Sequence, residues 1–142
     1  MADSFELLLS AELPPSLSAD EVAELSWHTG AGPQPDALTI VSDFTEVFVD
    51  DDGRFEYENL PRPLLGPPRA AWRIGGVCHA ALLPKEKGGW ALSARQELHP
   101  DDFDLFNGLL RWLKEHATAF ACHTRFYEEE DFAPVRDGRL VF

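Results

Sequence analysis

Apolar and polar positions alternate at the start of the chain. Phe5, Leu7, Leu9, Ala11 and Leu13 share one phase, and Glu6, Ser10 and Glu12 share the other with Leu8. This period of two predicts a strand with one buried face, stopped by Pro14-Pro15. The period then lengthens. Ser18-Ala19-Asp20-Glu21 has the form of a capping box, with Leu17 and Val22 placed as a hydrophobic staple. It predicts a helix over 19–29 that stops at Gly30, and Gly32, Pro33 and Pro35 then force a loop.

Residues 37–60 read as three short strands, 38–42, 46–50 and 54–58, the last two flanking Asp51-Asp52-Gly53. Asp-Gly between alternating segments is a strong hairpin signal. The Pro-rich stretch 60–69 predicts an extended surface loop. A second hairpin, 72–83 with 90–98, turns at Lys87-Gly88-Gly89, and Gly75-Gly76 suggests a bulge. Phe103, Phe106, Leu109, Leu110 and Leu113 recur at helical spacing and predict a helix over 101–117, entered through Pro100 with Asp101, Asp102 and Asp104 at its positive end. Alternation returns over 120–127, and Asp137-Gly138 predicts a closing hairpin.

Taken in order, the main elements spell βαββαβ. This predicts an α+β fold of the ferredoxin-like kind, with 37–70 as a β-rich insertion and a C-terminal hairpin. The alternative is a curved antiparallel sheet wrapped on the 101–117 helix. At 142 residues the chain is expected to form a single domain over 1–142, and 44% hydrophobic content with ten Phe and four Trp supplies a core.

A formal net charge of −13 narrows the partners. It argues against nucleic acid and against anionic membrane, both of which require a basic surface. It suits a soluble protein and allows steering toward a basic protein or cationic ligand. Cys78 and Cys122 are too few for a disulfide framework. The start lacks a basic region, and no apolar run approaches the roughly 18 residues of a membrane span. The expected location is the cytoplasm.

The chemistry-bearing residues assemble into no motif. The sequence contains no phosphate-binding loop, dinucleotide fingerprint, nucleophile elbow or zinc-protease motif. Asp50-Asp51-Asp52-Gly53 fails as a calcium loop: with Gly53 sixth, position one is Phe48 and position twelve Asn59. Cys78-His79 and Cys122-His123 hold the atom types of a zinc site. Neighbours on a strand face opposite ways, however, so two buried thiols and two exposed imidazoles are expected instead. His99 with Asp101 and Asp102 is read as helix capping rather than an acid–base pair. His28 is read as a charged group favourable at a helix C-terminus. No catalytic residue, metal ligand or cofactor is therefore assigned, and a non-enzymatic role is favoured.

Strand parity yields the one candidate surface. If Ile74, Cys78, Leu92, Cys122 and Phe126 face the helices, then Arg73, His79, Arg95, His123, Arg125 and Tyr127 share the opposite face with Glu6 and Glu97. Cations thus collect on one side of an acidic protein. Three functions compete. The first is a non-catalytic binding or regulatory module acting through protein–protein contacts. The second is a domain binding an anionic small molecule, or an enzyme, on this face. The third is a structural homodimer. A pocket with convergent Arg and His would favour the second.

Overall fold

In the computed structural model, which describes residues 3–141, two helices and eight strands form a mixed α+β architecture. The strands are β1 (Phe5–Leu13), β2 (Thr45–Val49), β3 (Phe55–Asn59), β4 (Arg69–Ala70), β5 (Val77–Pro84), β6 (Trp90–Leu98), β7 (Ala119–Phe126) and β8 (Ala133–Pro134). The helices are α1 (Ala19–His28) and α2 (Phe103–His116). Six strands make one antiparallel sheet in the order β4-β5-β6-β1-β7-β8, and β2 with β3 makes a separate two-stranded ribbon.

The sheet's buried face follows from alternation. Leu7, Leu9, Ala11 and Leu13 of β1, Leu92, Ala94 and Leu98 of β6, and Cys122 of β7 join the core with Leu25 and Trp27 of α1 and Phe106, Leu109, Leu110 and Leu113 of α2. Both helices therefore cover one face, and Glu6, Leu8, Ser10 and Glu12 of β1 lie on the other. The Ser18 capping box forms as the sequence predicts. Ser18 Oγ accepts from the Glu21 amide at 3.1 Å, and Glu21 Oε1 accepts from the Ser18 amide at 2.9 Å.

Several expectations are corrected. Residues 38–42 form no strand, because the Glu24 carboxylate takes the amides of Thr39, Ile40 and Val41, which a neighbouring strand would otherwise engage. The Pro-rich stretch does not lie wholly on the surface: Leu64 and Leu65 are buried, and the amides of Leu65 and Gly66 donate to the His28 carbonyl. The strand expected over 72–83 begins at Val77, and 71–76 is a loop, so Ile74 does not belong to the strand's core-facing set. Among the described residues no hairpin forms around Asp137-Gly138. The backbone turns at Asp137 (φ +57°) and Gly138, but Leu140 then exchanges two hydrogen bonds with the Asn107 side chain of α2 instead of pairing with β8. The long helix is preceded by a 3₁₀ turn over Pro100–Asp102, where His99 Nδ1 accepts from the Asp101 amide, a capping role.

Candidate functional site

The face of the sheet away from the helices is built in rows, because antiparallel register sets residues directly opposite one another. One row runs His79, Arg95, Leu8, His123 across β5, β6, β1 and β7. The next is Ala81, Ser93, Ser10, Ala121, and the third is Leu83, Ala91, Glu12, Ala119. On the other side of the first row, Glu97, Glu6 and Arg125 align. Parity thus puts His79, Arg95, His123 and Arg125 on one face, as the sequence predicts. Cys78 and Cys122 are buried on the other side. Arg73 and Tyr127 arrive differently. Arg73 lies in the 71–76 loop and Tyr127 in the turn after β7, and the Arg73 guanidinium sits 5.2 Å from the Tyr127 ring centre and 4.6 Å from that of Trp72. All six residues border one surface.

The charges on this surface are largely satisfied from within. Glu6, 5% exposed, accepts from Arg95 Nε at 2.6 Å and from Arg125 Nε at 2.7 Å, one guanidinium on each oxygen. Arg95 also donates to the carbonyls of Val77 and Ile74, and Arg125 to those of Glu129 and Tyr127. Glu97 stands opposite Glu6, a like-charge pairing that would be unfavourable if bare. Its carboxylate is cradled by the amides of Trp72, Arg73 and Ile74 at 2.6, 2.7 and 3.1 Å. Burial pushes the Glu97 carboxyl up, but those donors and the nearby Arg69 outweigh it and hold the group below its ordinary value. Sequence reasoning missed this carboxylate as the clasp of the 71–76 loop.

Beyond this network the middle row, Ala81, Ser93, Ser10 and Ala121, is small and uncharged. An open hollow of about 280 Å³ is floored by Leu8, Ser10, Ser93 and Ala121 and flanked by His79, His123 and Arg95. Trp72, whose amide donates to Glu97, is 71% exposed, and Phe132 stands under the Arg125 guanidinium at 5.4 Å. The small residues of the middle row escaped the sequence reading, which followed charge rather than its absence.

A second cluster lies inside the helical layer. Glu24 and His28 are both fully buried, four residues apart on α1, with Nε2 to Oε2 at 3.6 Å. His28 Nδ1 accepts from the Leu64 amide at 3.2 Å, which leaves the ring proton on Nε2, facing Glu24. Burial outweighs the attraction of Glu24 and lowers the histidine pKa to about 4. The expectation of a charged His28 at the helix end is therefore corrected: it is neutral, and with Glu24 it pins 39–41 and 64–66 onto α1. Burial likewise pushes the Cys122 thiol up to about 12, so it is no nucleophile.

Comparison with protein-family models, curated proteins and solved structures finds no match. Among the described residues no helix is long and apolar enough to cross a membrane.

Proposed function

We propose that this protein is a non-catalytic binding module acting through protein–protein contacts, and that a second copy of the chain occupies the open face of its sheet. The observation that carries this reading is the internal use of charge on that face. Arg95 and Arg125 both spend their Nε protons on Glu6, and Glu97 is held by backbone amides. Each Nε is committed to Glu6 and further N–H groups of both arginines to backbone carbonyls, so an anionic ligand would compete with partners already in place, which weighs against the small-molecule reading. An uncharged central row suits self-contact in a chain of net charge −13, because copies meeting through the acidic arm or the Glu128–Asp131 run would oppose acid to acid. The row Ala81, Ser93, Ser10, Ala121 lets two sheets approach closely, and a face that meets its own copy across a two-fold axis needs only to complement itself. Exposed Leu8, Leu83 and Trp72 supply apolar area.

The fold is read here as ferredoxin-like. Support comes from the βαββαβ order of β1, α1, β5, β6, α2 and β7, from the strand order β5-β6-β1-β7, and from helices on one face. A cytoplasmic address is supported by two buried, unpaired thiols, which lie on strands separated by roughly 14 Å of sheet.

Sedimentation velocity across micromolar concentrations tests the self-association. A mass twice that of the chain, rising with concentration, is expected. A single monomeric species throughout would remove the second copy from this face.

A further inference from the structure

The ribbon of β2 and β3 stands apart from the main sheet, and every one of its strand residues is exposed. Its two sides differ. Val47 faces Tyr57 and Val49 faces Phe55 across the ribbon, at exposures of 55, 72, 64 and 70%. The opposite side carries Glu46, Glu56 and Glu58 around Phe48. Asp50 shapes the tip: its Oδ1 accepts from the amides of Asp52 and Arg54 at 3.0 and 2.8 Å, and Gly53 takes a φ of +79° that suits glycine. Residues 43–58 hold seven acidic residues against the single Arg54. The root is fixed in the helical layer. Phe44 is buried 6.2 Å from the Trp27 ring, and its amide donates to Asn59 Oδ1.

A two-stranded ribbon is marginal alone in water, and here its whole apolar side is left uncovered. We infer that this ribbon is an arm that inserts into a cleft of a basic protein, its apolar side on an apolar floor and its Glu side against Lys or Arg. Charge complementarity selects the occupant. Two arms meeting through their apolar sides would bring both acidic tips and flanks together. Four side chains also cover far less than the roughly 800 Å² that a stable interface buries on each partner. A cleft contacts both sides of the arm and pairs its carboxylates. The arm roots on the helical side, so it remains accessible when the open face of the sheet is engaged.

The test uses the full chain and three dodecapeptide probes followed by fluorescence anisotropy. One alternates Lys with Val and Phe, one replaces the apolar positions with Ser, and one replaces Lys with Glu. The basic, apolar peptide is expected to bind at least tenfold tighter than either control and to weaken with added salt. Phe55→Ser with Tyr57→Ser, and separately Glu56→Gln with Glu58→Gln, should each weaken it at least tenfold. The oligomeric state should stay unchanged in both, which separates this inference from the one about the sheet. Equal binding of the Ser peptide would reduce the arm to a charge effect, and equal binding of the Glu peptide to greasiness alone. Either result, or no binding, overturns the inference. An altered oligomeric state in the arm variants would make the occupant a second copy instead.

Discussion

His28 shows how far a side chain can depart from what its position in sequence suggests. Near a helix C-terminus a charged imidazole is favourable, yet here the ring is sealed inside and stays neutral, with a pKa of about 4 against the ordinary 6.5. Because the folded value is depressed, the unfolded chain binds the proton first as pH falls. The stability contributed is complete above 6.5 and drains away between 6.5 and about 4. The urea midpoint should therefore be lower near pH 5 than near pH 7, and His28→Gln should flatten that difference. A wild-type midpoint that rises on acidification would contradict the buried, neutral assignment. Glu97 works in the same direction at lower pH. Its carboxyl is held below its ordinary value of 4.5, so its clasp on 71–76 is complete above that value and is lost as pH falls through the folded pKa. Neither role was legible in the sequence. The i, i+4 spacing of Glu24 and His28 could have signalled a pair, but the loops they bind are distant in the chain. The faces of His79, Arg95, His123 and Arg125 were legible, because each lies within a regular strand whose period is two. Arg73 and Tyr127 reach the same surface through a loop and a turn that parity does not describe.

Elements with local causes were read most accurately. The capping box at Ser18 and Glu21 and the apolar stripe of α2 depend on residues within a few positions of one another. Ser18→Ala should cost roughly 0.5–2 kcal/mol through the lost cap. Leu110→Ala, at a fully buried position of α2, should cost about 2–5 kcal/mol. Denaturant titration measures both, and a Leu110→Ala loss below about 1 kcal/mol would contradict the packing of α2 against the sheet. The misread elements are those whose backbone partners come from far away. Residues 38–42 have a strand-like composition, but the amides of Thr39, Ile40 and Val41 go to Glu24. The turn at Asp137 and Gly138 is real, yet the chain beyond it is captured by Asn107. In the arm the alternation of β2 and β3 was legible. That both of its faces are left in water was not, since alternation alone implies a buried side.

At the scale of the whole molecule, the distribution of charge matters more than its sum. The net −13 is concentrated at the acidic arm and around Glu128–Asp131, while on the open sheet face one carboxylate, Glu6, bridges two guanidiniums, Arg95 and Arg125. Strand parity alone gathers cations on that face, which would suit an anion. With the guanidiniums paired to Glu6, the row beside them is made of small, uncharged side chains, Ala81, Ser93, Ser10 and Ala121. Both thiols are buried, so Cys78 and Cys122 should resist a thiol reagent in the native protein and react fully on unfolding. Rapid native labelling would mean the sheet opens far more readily than its packing implies. The central claim is that two copies meet through the row of Ser10, Ser93 and Ala121. Placing charge at its centre with Ser93→Glu and Ala121→Glu, then measuring mass by sedimentation velocity, tests this most directly. The double variant should sediment as a folded monomer at concentrations where the wild type is a dimer. A double variant that remains dimeric would place the contact elsewhere.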